Sequence, residues 1–132
     1  MYGFVTEVER TFPKILNCER ATLTIVNRWK KYLFRIVRHP TTGVDELKTF
    51  AMNDGLAGFI AITSSMIELD NATSDHRFYP ELDDPNFGFG SSPARDIISM
   101  PIFTTEDPFN LGKESMANDP RAVLHIINKK HE

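Results

Sequence analysis

The chain has 132 residues, 41% of them hydrophobic and ten of them Phe, which is one domain's length of chain with enough apolar material for a real core. Its 15 Lys and Arg stand against 18 Asp and Glu, a net charge of −3, and that balance argues against the basic face a protein needs to grip duplex nucleic acid. The single Cys18 excludes an intramolecular disulfide framework and a four-cysteine zinc site, and no apolar run reaches the roughly 18 residues a membrane span requires.

Residues 2–17 predict a first helix, with Phe4, Val8 and Phe12 spaced by four and Val5 beside them. Pro13 is expected to end or kink it. The opening MYGFVTEVERTF has neither a basic leader nor an apolar signal core, so a cytoplasmic protein is expected. Residues 20–27, RATLTIVN, are β-branched and alternate: strand one. Asn27 to Lys31 reads as a hairpin turn, and 32–38, YLFRIVR, as strand two. The HPTTG run from His39 breaks the chain. Residues 46–52 then predict strand three.

The centre of the chain is the stretch Asn53 to Asp84. Gly55 and Gly58 open a predicted helix over 55–64, with Asn53 or Asp54 as its N-cap. Met66 to Asp70 predicts a short strand. Ser74 is placed to cap one helical turn reaching Phe78. The loop 79–94, rich in Pro, Gly, Asp and Ser, has the length of a lid or binding loop. Residues 96–103 predict a strand in which Pro101 marks a bulge or a side without a partner. A second polar loop, 104–120, precedes a last strand at 121–128. Strands arriving as hairpins with helices outside the sheet predict an α+β fold rather than a parallel βαβ one.

Six segments carry a family resemblance: NCERATLTIVN (17–27), NDGLAGFIAITS (53–64), LDNATSDHRFYPELDD (69–84), GF (88–89), RDIISMPIF (95–103) and AVLHIINKK (122–130). In this order they resemble a GAF domain, nearest to those of cyclic-nucleotide phosphodiesterases and adenylyl cyclases. The resemblance implies a central antiparallel sheet of about six strands, helices packed on one face and a ligand pocket on the other, roofed by 66–94. It implies a single GAF domain over 1–132, taken from a larger signalling protein, homodimeric in that protein, sensing a purine cyclic nucleotide. The 104–120 loop is then an insertion, because the family has a short turn there.

The resemblance also implies site residues. A helix N-terminus offers free backbone N–H groups to an anion, and in nucleotide-binding relatives the residues after the first glycine, here Leu56 and Ala57, touch the ligand phosphate. Tyr79, Asp83 and Asn86 match the lid residues that line the nucleotide, Asn86 standing in place of a threonine; the bland alternative is a solvated acidic loop anchored by Tyr79. Thr22 falls where relatives place a small hydroxyl facing the base, or is an ordinary strand residue. His125 replaces a frequent Glu and is either a base-edge partner or a satisfied structural histidine. Arg38 and His39 replace the relatives' Phe-Asp pair. Asn128-Lys129 matches the opening half of a family motif whose other half lies past Glu132. No nucleophile, metal-ligand spacing or redox cysteine set is recognisable, so no catalysis and no cofactor beyond the regulatory nucleotide are expected. The alternative function is a GAF module that binds nothing small and serves dimerisation or protein interaction.

Overall fold

The computed structural model describes residues 2–39, 41–84, 93–103 and 119–130. Helix α1 (Tyr2–Leu16) leads into β1 (Cys18–Asn27), β2 (Tyr32–Arg38) and β3 (Asp45–Ala51). Helix α2 (Gly55–Thr63), strand β4 (Ile67–Leu69), a 3-10 turn (Ala72–Ser74) and the short helix α3 (Pro80–Asp83) follow, then β5 (Ile97–Ile102) and β6 (Ala122–Lys129). The strands form one sheet in the order β3-β2-β1-β6-β5-β4, with every neighbouring pair antiparallel. This is the α+β architecture expected. No helix among the described residues is long and apolar enough to cross a membrane.

The period-2 alternation of β1 sorts its side chains onto two faces. Ala21, Leu23 and Ile25 turn to α1, where Val5, Val8, Phe34, Leu124 and Ile126 complete an apolar cluster, with Phe12 and Leu16 against it. The opposite face carries α2: Ala57, Ile60 and Ala61 pack on Val26, Leu33, Val123 and Leu82.

Several local expectations are corrected. Pro13 lies inside α1 and the helix runs on to Leu16. Its missing N–H falls in the last turns, while Phe12 and Leu16 on either side pack against the core and hold the register. Asp54 is the N-cap of α2 as expected, but it makes no side-chain cap bond; its Oδ2 accepts instead from the Ala51 N–H at 3.0 Å. Ser74 caps no turn: it ends the 3-10 turn, and its hydroxyl donates back to the Asn71 carbonyl at 3.0 Å. Helix α3 lies within the stretch read as loop.

Pro101 sits where a missing donor costs nothing. The Asn128 N–H bonds the Asp96 carbonyl, so by alternation residues 98, 100 and 102 turn their backbone groups to β6 and Pro101 turns its own away. On that side β4 reaches only as far as Ser99. The expected insertion lies outside the described residues over 104–118.

Candidate functional site

The face of the sheet beneath α2 and α3 is buried but only partly apolar. Ile25 and Phe34 are cross-strand partners facing α1, so Thr24 and Arg35, one step further along, turn to the other side. Thr22 and Arg20 share that side by alternation. Across the sheet His125 on β6 lies opposite both Thr22 on β1 and Ser99 on β5. Arg20, Thr22, Thr24, Arg35, Ser99 and His125 are all buried.

Asp83, at the end of α3, is the hub. Its Oδ2 accepts from the Leu56 N–H and the Tyr79 N–H, both at 2.9 Å, and its Oδ1 from the Ala57 N–H at 3.1 Å. His125 Nε2 lies 2.7 Å from the same Oδ1, and His125 Nδ1 is bonded to the Ser99 hydroxyl. A carboxylate therefore fills the N-terminus of α2, supported by the partial positive charge there. Gly55 permits the approach. Its φ is +65°, and a Cβ on it would lie 2.7 Å from Asp83 Oδ2. Gly58 serves close packing, since a Cβ there would meet the Met52 carbonyl oxygen at 2.7 Å. The neighbouring Asp84 pairs with Arg20, whose Nε lies 3.2 Å from Oδ1.

A second connection passes through the sheet. β1 pairs with β2 only from Ile25 to Asn27, whereas β2 pairs with β3 from Tyr32 to Arg38. The β2–β3 hairpin thus parts from β1 at Thr24. Glu9 of α1 reaches into that opening: its Oε2 accepts from the Leu23 N–H at 2.8 Å and the Thr22 hydroxyl at 3.0 Å, and lies 3.8 Å from Arg35 Nη2. Burial raises the Glu9 carboxyl above its ordinary value, more than Arg35, Leu23 and Thr22 lower it. Burial likewise lowers the Arg35 guanidinium, against the pull of Glu9, Asp83 and Asp84.

Five of the seven anticipated site residues, Leu56, Ala57, Tyr79, Asp83 and His125, meet through bonds to Asp83, and Thr22 lies opposite His125 on the sheet. The Leu56 and Ala57 amides are at the helix N-terminus as expected, but the Asp83 carboxylate takes them. Asp83 is buried rather than solvated on a loop. His125 is fully buried with both ring nitrogens engaged, and Thr22 gives its hydroxyl to Glu9. Tyr79 contributes its backbone to Asp83, while its ring packs edge-on against Phe50 at 5.8 Å. Asn86 lies outside the described residues. His39 is exposed, and its Nδ1 accepts from the Thr41 and Thr42 N–H groups within its own turn. Arg20, Thr24, Arg35, Ser99 and Glu9 were not singled out beforehand. For Arg20 and Thr24 the signal was present in RATLTI, where polar and apolar residues alternate although both faces are covered.

Two further features flank the site. A surface cleft of about 570 Å³ runs along α2, lined by Asn53, Gly55, Thr63 and Tyr79, with the Arg77 guanidinium 4.6 Å from the centre of the Phe59 ring. Asn128, fully buried at φ +57°, fastens the approach to β5. Its Oδ1 accepts from the Arg95 N–H at 2.6 Å and its Nδ2 donates to the Pro93 carbonyl at 3.0 Å. Cys18 lies buried at the start of β1, and burial pushes its thiol up.

No protein-family model matches the chain, and no curated protein does. Solved structures match over nearly all of it. A free methionine-R-sulfoxide reductase from Neisseria meningitidis, in complex with its substrate, aligns with a TM-score of 0.59 at 12% identity, over 96% of this chain and 61% of that one. The chain thus spans about three fifths of the reductase, 61%. The NLH2 GAF domain of A. aeolicus in an inactive state gives 0.61 at 13% identity, over 97% of this chain and 68% of the other. The GAF domain of a two-component sensor histidine kinase from Bacillus halodurans gives 0.57 at 16% identity, over 100% and 79%. The chain has the GAF fold.

Proposed function

We propose that this chain is a regulatory domain that senses a small molecule, held against the polar face of the sheet beneath α3, and that it does no chemistry itself. In this reading it is one domain of a larger cytoplasmic signalling protein, paired with a second copy there. The carrying observation is that polar face: Thr22, Thr24, Arg35, Ser99 and His125 are buried where a domain built only for stability would place apolar side chains. The mechanism is linkage: a ligand that bonds these groups better with α3 displaced shifts the population toward the displaced form.

The ligand class carried forward is a purine cyclic nucleotide. Because Asp83 holds the α2 amides, a cyclic phosphate reaches Leu56 and Ala57 only by displacing it. The test is amide NMR with cyclic GMP, cyclic AMP and the linear monophosphates at millimolar concentration. The expected result is a saturable shift at Leu56, Ala57, Tyr79, Asp83 and His125 with one cyclic nucleotide. Saturating nucleotides that leave all five in place would remove the nucleotide from the proposal.

One observation favours the second reading, a GAF module that binds nothing small. Asp83 is satisfied by four donors within the chain, so a closed polar core needs no ligand to complete it at that point. Absence of binding together with dimerisation of a longer fragment would select this reading. The enzymatic option is tested by turnover of free methionine sulfoxide, with none expected.

A further inference from the structure

Resting on the ligand-sensing reading, we propose that Arg35 is the anchor for an anionic group of the ligand, a carboxylate or a phosphate, with Thr24 as the adjacent donor. A count of donors against acceptors leads to this residue. A guanidinium presents five N–H donors and no acceptor. Arg35 is 2% exposed; among the described residues its Nε has no hydrogen-bond partner and its ion pair is the 3.8 Å approach to Glu9. That distance is longer than a hydrogen bond.

The other carboxylates acting on Arg35 are those of Asp83 and Asp84. Both are taken, Asp83 by three backbone amides and His125, Asp84 by Arg20. Thr24 turns to the same face of the sheet, fully buried, and its hydroxyl has no hydrogen-bond partner among the described residues. Among the described residues the three carboxylates that act on Arg35 are thus engaged, while the Arg35 Nε–H and the Thr24 hydroxyl remain as donors. Buried charges and buried polar groups are costly unless paired. A desolvated guanidinium fork fits two oxygens of a carboxylate or phosphate. The N-terminus of α2, the other anion site of the fold, is already filled by Asp83.

A consequence concerns α1. Glu9 belongs to that helix, on the far side of the sheet, and meets Arg35 only through the opening between β1 and β2. A ligand anion that takes the guanidinium competes with Glu9, so occupancy of the pocket face is felt at α1 without any movement of the sheet.

The experiment uses the 132-residue chain with three probes: inorganic phosphate, succinate, and sodium chloride matched for ionic strength. The readouts are the Arg35 Nε–H signal in nitrogen-15 NMR and the thermal midpoint. The expected result is a saturable movement of that signal and a raised midpoint with phosphate or succinate, the more effective probe naming the anion class, and neither with chloride. Arg35→Gln should weaken the effective probe by roughly 10- to 100-fold, as loss of a hydrogen bond to a charged group does; Thr24→Val should weaken it less. If Arg35→Gln does not fold, the wild-type Nε–H titration decides alone, and an unmoved signal overturns the inference. A cyclic nucleotide that binds wild type and folded Arg35→Gln equally overturns the role of Arg35 and leaves the sensing reading standing. Silence of every anion and nucleotide overturns both.

Discussion

The Asp83 carboxylate and the His125 imidazole meet at 2.7 Å with both side chains fully excluded from solvent. The contact joins α3 to the middle of β6, and through the other donors to Asp83 it joins both to the start of α2. Removing the carboxylate should expose how much of the domain depends on it. Asp83→Ala leaves three backbone N–H groups and an imidazole nitrogen without their acceptor. The expected cost is about 3–5 kcal/mol, in the range of breaking a buried pair from one side. Asp83→Asn, which keeps one acceptor oxygen, should cost less. Urea denaturation of the three proteins measures this, and a loss under about 1 kcal/mol for the alanine variant would mean that the amides find other partners.

Gly55 is coupled to the same carboxylate. Gly55→Ala places a side chain at φ +65° and drives its Cβ into Asp83 Oδ2. The expected destabilisation is about 1–3 kcal/mol, from backbone strain and the displaced carboxylate together. In the double variant with Asp83→Ala the clash with the carboxylate no longer exists, so the double variant should cost less than the sum of the two single ones. Strict additivity would separate Gly55 from Asp83.

Ser99 and Asp83 set the state of His125 from opposite sides. With Nε2 facing a carboxylate, the neutral ring carries its proton on Nε2, and Nδ1 accepts from the Ser99 hydroxyl. Nitrogen-15 NMR of the ring should report that tautomer. Ser99→Ala, which strands a buried Nδ1, should cost about 1–3 kcal/mol. A ring protonated on Nδ1 alone would contradict the arrangement.

Glu9 predicts a pH dependence with a definite sign. Burial raises its folded carboxyl above the ordinary value of 4.5. The protonated form is thus favoured by folding, and its contribution is fully present below that ordinary value and lost as pH rises through the raised one. Glu9→Gln mimics the protonated form and keeps an acceptor for Leu23 and Thr22. The stability of wild type relative to Glu9→Gln should therefore fall as pH rises from 4.5 and then level off. A difference independent of pH, or one that grows toward neutrality, would show that the Arg35 pair outweighs burial.

The sequence by itself determined α1, α2, the six strands and their order, but not the short helix α3. The alternation in RATLTIVN, the four-residue spacing in α1 and the Gly55–Gly58 helix start are local patterns, and periodicity alone assigns their faces. Pro101 declared a bulge or an unpartnered side from its own chemistry, and the structure has the second. Only the tertiary structure decided which donor met which acceptor. Asp83 lies 27 residues from Leu56 and 42 from His125 along the chain, and nothing local to any of them says that a tethered carboxylate, rather than a ligand, fills the helix N-terminus. The opening between β1 and β2 belongs to the same class. It exists because the β2–β3 hairpin stays paired while β1 turns away, and that divergence lets Glu9 reach Thr22 and Arg35 from the opposite face. Local sequence specifies backbone conformation through short-range sterics and spacing; the satisfaction of a buried charge is a property of the closed core, settled only when distant segments arrive together.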